Sequence, residues 1–342
     1  MSVMLQRMWS VGVPQDLSGR VVVITGASSG IGRACAYACA QRHAAVVLAA
    51  RDSQGLREAA AECEAAGGYA QVEPTDVADH ESVRRLARSA YERNGHIDVW
   101  INNASVMAYG MFEDVPADVY HHVIDTNFYG QVHGARAVLP YFRAQGAGVL
   151  INVASLYSKL TSPYVSPYVS SKYAIRGFSA CLRQELMSAE GIHVCAIFPG
   201  AIDTPIFRHV ANYTGRGVTA LPPVADPQRV VRAVLSCITH PRAEVVVGET
   251  ARAIVWAHAV APRVYDRLAR YVMDLVAFDN EIAEDTTGNV FASMPEWNQV
   301  DGRWREERAT TRKLFTAGGV AAAAAVPAAT WILRRRLGAP GK

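Results

Sequence analysis

Between Asp16 and about Gly248, short runs rich in valine and isoleucine alternate with longer stretches whose apolar residues recur at helical spacing. The runs fall at 20–25 (RVVVIT), 44–50 (AAVVLAA), 69–74 (YAQVEP), 97–103 (IDVWINN), 148–155 (GVLINVAS), 192–198 (IHVCAIF) and 243–248 (AEVVVG). Several are apolar at successive positions, as strands covered on both faces should be. Their alternation with helical patterns predicts a parallel sheet with crossover helices, an α/β architecture of about seven strands. Ala174, Phe178, Cys181, Leu182 and Leu186 form a stripe at helical spacing, which a core-facing or subunit-facing helix explains. After Gly248 the alternation stops. The chain is accordingly divided into an N-terminal arm (1–15), an α/β domain (16–250), a helical or irregular extension (251–313), an apolar segment (314–333) and a basic tail (334–342).

Composition changes this picture little. With 342 residues, half of them hydrophobic, and a net charge of +3, the chain can bury a sizeable core and shows neither a disorder signature nor the charge of a nucleic-acid binder. Its six cysteines have no CxxC spacing, so buried free thiols are expected. The ten histidines include the pair His121 and His122 but no HExxH pattern, and no metal is expected. Residues 1–13 lack an apolar run long enough for a signal peptide, which predicts a cytoplasmic catalytic domain.

The segment TGASSGIGR, Thr25 to Arg33, follows the first run and opens a helical pattern. Glycines there let the backbone turn sharply and approach a pyrophosphate, whose charge the amides of a helix N-terminus stabilise. The spacing GxxxGxG (Gly26, Gly30, Gly32) departs from the common GxGxxG. A second stretch, YVSPYVSSK, holds two tyrosines, Tyr164 and Tyr168, and ends in Lys172. Residue chemistry alone does not choose between them.

Taken with NNAS (102–105), TN (Thr126, Asn127), Ser155 and PGAIDT (199–204), these motifs resemble the short-chain dehydrogenase/reductases in order and approximate interval, over about residues 16 to 250. The resemblance implies a Rossmann-like doubly wound sheet and a hydride transfer between a nicotinamide cofactor and a carbonyl or alcohol. It selects Tyr168, four residues before Lys172 and thirteen after Ser155, as the proton donor and acceptor. Lys172 would bond the nicotinamide ribose and favour the phenolate, Ser155 would hold the substrate oxygen, and Asn127 would support a water that passes protons to the lysine. Tyr164 is left as a pocket-wall or packing residue. Cofactor contacts are implied for Gly26, Ser28, Ser29, Gly30, Ile31, Gly32, Asn103, Tyr168, Lys172, Pro199, Gly200 and Thr204, with Asp76 near the adenine. Asp76 also reads as a turn or capping aspartate. Ser105 stands where the family usually has glycine, which puts the loop geometry there in question.

At the end of the second run, where an acidic residue would bond the ribose hydroxyls of NAD, this chain has Ala50 and Arg51. A guanidinium fork suits a 2′-phosphate, and Arg33 lies where a second basic partner is often found, so NADP(H) is expected rather than NAD(H). The alternative is that both arginines are plain surface charges and Asp52 turns toward the ribose. The segment 203–226, with Phe207 and Tyr213, matches the family's substrate lid; its aromatics could line a pocket or pack on the body. The substrate is expected to be apolar or lipid-like, and the assembly a homo-oligomer by family resemblance.

The apolar run 314–333 is long enough for one hydrocarbon thickness and precedes three arginines. Upstream, Trp256, Val260, Val264, Leu268 and Leu275 make one stripe and Arg263, Arg267 and Arg270 another, the pattern of a basic amphipathic helix. Together they predict membrane association through the C-terminus. A cofactor-sensing binding protein on the same fold is the alternative to an enzyme, and the GxxxGxG spacing speaks against a nucleotide-sugar epimerase.

Overall fold

The computed structural model describes residues 16–311. The arm 1–15, the apolar run 314–333 and the basic tail 334–342 lie outside the described residues. Two compact units are present, the first reaching Gly302 and the second starting at Arg303. Among the described residues the second unit contributes one helix, Trp304–Thr311.

Seven strands form the main sheet of the first unit: β1 (Val21–Thr25), β2 (Ala45–Ala50), β3 (Tyr69–Pro74), β4 (Val99–Asn102), β6 (Gly148–Val153), β7 (Ile192–Pro199) and β10 (Glu244–Val247). β5 (Ala108–Tyr109), β8 (Ala211–Asn212), β9 (Arg216–Val218) and β11 (Phe278–Ile282) are short strands outside it. Each main strand falls within or beside one of the apolar runs. The order is β10-β7-β6-β4-β1-β2-β3 and every pairing is parallel. The strands are apolar throughout because helices cover both faces. On one face, α1 (Gly30–Ala40), α2 (Ser53–Ala65) and α7 (Gln228–Thr239) pack against Val22, Ile24, Val46 and Leu48. On the other, α3 (His80–Asn94), α5 (Gly130–Gln145) and α6 (Ser166–Glu185) cover Val23, Val47, Trp100 and Leu150. This is the doubly wound arrangement.

Local chemistry sets the helix boundaries near the cleft. Asp52 caps α2 by accepting from the amides of Gln54 and Gly55, and Asp79 caps α3 by accepting from Glu81. α1 is built almost entirely from glycine, alanine and cysteine, small residues that let it lie close to β1 and β2. Cys35, Cys39, Cys63, Cys195 and Cys237 are buried free thiols, and Cys181 is exposed.

α4 (Ala117–Ile124) passes through a π turn, Asp125–Tyr129, before α5. Beyond β10, α8 (Glu249–Val260) and α9 (Pro262–Val276) lead into β11, which pairs antiparallel with β9. β8 pairs with β5. The 203–226 segment is therefore stitched at two places, to the β4 side of the body and to the C-terminal extension. Phe207 is buried, and Tyr213 packs on the cluster of Val106, Val115 and Val119.

Candidate active site

The strand order reverses between β1 and β4, and the crevice at their C-terminal ends is where such folds bind ligands. Its two sides are tied together by Thr25 and Asn103. The Thr25 hydroxyl accepts from the amides of Asn103 (3.0 Å) and Ala104 (3.2 Å), while the Asn103 carboxamide donates to the carbonyls of Thr25 (3.0 Å) and Gly26 (3.2 Å). Glycine is required by this closeness. Gly26 has φ +66°, and a Cβ there would lie 2.8 Å from the Ala104 Cα; one on Gly32 would lie 2.1 Å from the Gly26 carbonyl oxygen. Across the crevice, Thr204 follows β7 and approaches Gly30, whose Cβ position would be 3.4 Å from the Thr204 Cβ. Pro199 ends β7 and Gly200 donates to the Val247 carbonyl. Ser28, Ser29 and Ile31 complete the turn into α1, with Ser29 at its N-cap. A glycine-lined crevice with helix amides at its floor fits a dinucleotide.

Tyr168, Lys172, Ser155 and Asn127 converge at the β4–β6 side of this crevice. All four are buried. The Tyr168 hydroxyl lies near the hydroxyls of Ser155 and Ser105 and feels both. Burial pushes Tyr168 above the ordinary tyrosine range, and these two hydroxyls oppose the push without reversing it. Lys172 is 1% exposed; its ammonium reaches the Val153 carbonyl at 3.3 Å and stands 5.2 Å from the centre of the Tyr168 ring. The same desolvation brings it down to about 7. In the unliganded chain the lysine thus does not hold the tyrosine as phenolate, because burial drives both groups toward their neutral forms.

Asn127 lies inside the π turn. Its carboxamide oxygen accepts from the Val106 amide (2.8 Å) and the Ser105 hydroxyl (3.1 Å), and its nitrogen donates to the Val106 carbonyl (2.9 Å) and the Ser171 hydroxyl (3.1 Å). Ser171 donates in turn to the Tyr168 carbonyl at 2.7 Å. The asparagine side chain is therefore occupied in joining the loop after β4 to the helix that carries Tyr168 and Lys172. Ser105 was only a deviation from a pattern in the sequence; folded, it connects Tyr168 with Asn127. The π turn had no sequence signal, since it depends on which carbonyls the packing leaves available.

Tyr164, at φ +68°, sends its hydroxyl to Asp274 at 2.5 Å and sets its ring edge-on to Phe278 (5.2 Å between centres). Phe278 meets Tyr109 edge-on at 6.1 Å, and Tyr157 meets Tyr168 at 6.2 Å. These rings make an aromatic wall beside Tyr168. The Tyr109 hydroxyl is buried without a hydrogen-bond partner among the described residues.

The basic residues are engaged by the chain itself. Arg33 donates through Nε to Glu62 (3.0 Å) and through Nη2 to the same carboxylate (2.8 Å), and its Nη1 reaches the carbonyls of Ser28 (3.3 Å) and Asn298. It is not a solvated surface charge. Arg51 donates to the carbonyls of Val290 (2.9 Å) and Asn289 (2.5 Å). Asp52 is used by its capping bonds and by Asn298, so it does not present a free carboxylate to a ribose. Asp76 accepts from the Ala78 amide at 2.9 Å in a turn and faces Arg51 electrostatically.

Residues 20–213 match the family described as short chain dehydrogenase. The chain is 36% identical over 262 residues to the uncharacterized oxidoreductase YxnA of Bacillus subtilis, covering 76% of this chain and 74% of that one. It is 31% identical over 259 residues to dehydrogenase/reductase SDR family member 7B of Bos taurus, covering 72% and 79%. An alcohol dehydrogenase of Thermococcus sibiricus, solved with 5-hydroxy-NADP, superposes with a TM-score of 0.58 at 28% identity over 67% of this chain and 95% of its own. The chain belongs to the short-chain dehydrogenases. It is an oxidoreductase of the class that acts on CH–OH and C=O groups with a nicotinamide cofactor.

Lys172 gives a stability prediction. An unfolded lysine titrates near ~10.4, whereas the folded one titrates at about 7. As pH falls through this window the unfolded chain gains a proton that the folded chain does not, so unliganded stability declines and then levels off below about 7. At about 1.4 kcal/mol per pH unit the effect is at most ~5 kcal/mol. Lys172→Met should raise the unliganded Tm near neutral pH by roughly 5 °C or more, with the gain shrinking toward pH ~10.4. Thermal melts across this range check it; a difference that does not vary with pH would contradict the assigned burial.

Proposed function

We propose that the chain is an NADP(H)-dependent carbonyl reductase or alcohol dehydrogenase for an apolar, lipid-like substrate, with Tyr168 exchanging the proton. The observation that carries this reading is the burial of Tyr168, Ser155 and Lys172 together, with the Lys172 ammonium 5.2 Å from the Tyr168 ring, at the edge of the glycine-lined crevice. When bound, the nicotinamide would give or take the hydride. The protein's part is to move a proton at the Tyr168 oxygen. Ser155 orients the substrate oxygen, and Lys172, once ribose hydroxyls accept from its ammonium, recovers a charge that favours the phenolate. Since the Asn127 side chain is fully used, a water serving the lysine would rest on the backbone carbonyl of the π turn. The aromatic wall of Tyr109, Tyr157, Tyr164 and Phe278 supports an apolar substrate, with the unpartnered Tyr109 hydroxyl available to a polar group on it.

Arg51 supports NADP(H), because Asp52 at the end of β2 is committed to capping and a guanidinium at that strand end suits a 2′-phosphate. Arg33 contributes one edge at most, its other edge being paired with Glu62. Residues 16–250 carry the catalytic groups, and the extension adds Phe278 and Asp274 around Tyr164.

The extension also supports membrane association. Among the described residues no helix is long and apolar enough to cross a membrane. The stripe of Trp256, Val260, Val264, Leu268 and Leu275 is exposed, however, with Trp256 at 70% and Leu275 at 65%, while Met273 takes the inward face of α9. Arg263 and Arg267 flank it in solvent. Such a face suits an anionic membrane surface.

Tyr168→Phe should abolish turnover of NADPH with a panel of ketones and aldehydes while leaving cofactor binding within a few-fold, and Tyr164→Phe should be mild. The reverse ranking would reassign the proton donor, and cofactor binding without turnover in the unmodified protein would select a sensor.

Arg51→Ala should cut NADPH affinity at least tenfold more than NADH affinity. Equal losses, read by titration calorimetry, would make Arg51 structural.

The full-length chain should float with anionic vesicles, and Leu268→Glu with Leu275→Glu should weaken flotation several-fold. Vesicle binding unaffected by the double change, or a dimer that it dissociates, would assign this face otherwise.

A further inference from the structure

A continuous stretch, residues 288–302, crosses the crevice and takes the groups that a dinucleotide's phosphates would need. It begins beside the loop after β7, where the Asn289 amide donates to the His209 carbonyl (2.8 Å) and Gly288 packs on the backbone of His209 and Val210. Val290 is fully buried among Val106, Val115, Val119 and Val123, and Phe291 lies against the His122 ring. The next three residues arc through solvent or partial burial into a short 3-10 turn, Pro295–Trp297. Trp297 faces the Arg208 guanidinium at 5.3 Å. The stretch then reaches the opposite side, at the starts of α1 and α2. There the Gly30 amide donates to the Gln299 carbonyl (2.8 Å), Arg33 donates to the Asn298 carbonyl, and the Asn298 carboxamide donates to Asp52.

Three of the donors that meet the stretch belong to the anion-binding half of the crevice: the helix N-terminal amide of Gly30 and two guanidinium groups, Arg33 and Arg51. Each meets a backbone carbonyl oxygen of the stretch. Carbonyl oxygens are the neutral counterparts of phosphate oxygens, accepting the same bonds without carrying the charge. Val290 is fully buried and Asn289, Asn298 and Val300 are partly buried, whereas residues 291–293 are exposed, so the arc can lift while much of the body stays in place.

We propose that residues 288–302 are an intramolecular strap that occupies the adenosine-phosphate half of the dinucleotide crevice and must lift from Gly30, Arg33 and Arg51 for the cofactor to bind. This rests on the nicotinamide reading of the site. The strap makes observed cofactor affinity a competition: binding is weakened by the fraction of molecules with the strap closed. Because a phosphate forms charge-assisted bonds to the same donors, it displaces a carbonyl that an uncharged adenosine would not.

A tether tests this directly. A Cβ placed on Gly55 would lie 2.7 Å from the Asn298 Cγ, which brings the two Cβ atoms within disulfide reach of about 3.5–4.5 Å. In full-length Gly55→Cys/Asn298→Cys, oxidation should lower the affinity for NADPH and for adenosine 2′,5′-bisphosphate at least tenfold by calorimetry, and reduction should restore it. Asn298→Ala, which removes the Asp52 contact, should raise both affinities about threefold or more and speed amide exchange at 297–300. Binding equally tight in the oxidised and reduced protein, or weakened by Asn298→Ala, would overturn the strap while leaving the nicotinamide reading intact. Failure of the unmodified and reduced proteins to bind any dinucleotide would instead remove that reading, and the strap with it.

Discussion

The site depends on the cross-brace that Thr25 and Asn103 make between the ends of β1 and β4. Parallel strands diverge toward a topological switch point, and nothing in the ladder itself fixes the distance between the loops that leave them. Four hydrogen bonds from two side chains fix it here. With the loops drawn together, only glycine fits at Gly26 and Gly32, and the turn into α1 is forced against the β4 loop. The same brace sets the start of the segment 104–106, so that Ser105 and the Val106 backbone meet Asn127. Asn127 then reaches Ser171, on the helix of Tyr168 and Lys172. One cross-strand contact thereby sets both the phosphate side and the proton side of the crevice.

Burial holds the two groups proposed to move the proton in their neutral forms. Tyr168 and Lys172 share one desolvated site, and desolvation acts against the charge on each, raising the phenol and lowering the ammonium. Two neutral groups satisfy that environment. The proposed proton transfer calls for a pair whose charges support each other, which hydrogen-bond acceptance by a ligand near Lys172 would supply. The stability held back by the buried lysine is then returned when ligand contacts let it ionise, so ligand binding and protonation are linked.

Much of this was legible in the sequence, for reasons that differ by level. The seven strands were visible because a strand covered on both faces must be apolar at every position, which leaves little ambiguity in runs such as Val21 to Thr25 or Val194 to Phe198. Gly26 and Gly32 were visible because close backbone approach tolerates nothing larger. What could not be read were contacts set by distant segments. Arg33 and Arg51 looked alike as exposed forks until folding gave one to Glu62 and the other to the carbonyls of Asn289 and Val290. Asp52 could be a ribose ligand by position, but its place at the start of α2 commits it to capping. The amphipathic stripe in α9 was plain, yet periodicity does not say which face meets the body; Met273 and not Leu268 turns inward. The role of 288–302 left no trace, since backbone carbonyls act there and every residue has one.

That last point also explains how an irregular segment can serve as an occupant of a glycine-lined crevice without resembling a ligand. A dinucleotide site is largely a set of backbone amides and guanidinium edges, and such donors remain costly if buried and unmet. The extension meets them with neutral oxygens along an arc that has few buried side chains between its anchors, Val290 on one side and Val300 on the other. A carbonyl is a weaker partner for a guanidinium than a phosphate is, which makes the closed arrangement stable in the absence of a ligand and reversible in its presence. Stronger occupants, such as carboxylates at Asn289 or Asn298, would hold the arginines too well to yield. The neutral carbonyl oxygens of Asn289, Val290, Asn298 and Gln299 are therefore what a displaceable occupant needs: enough hydrogen bonding to satisfy the donors and too little charge at those contacts to outcompete a phosphate.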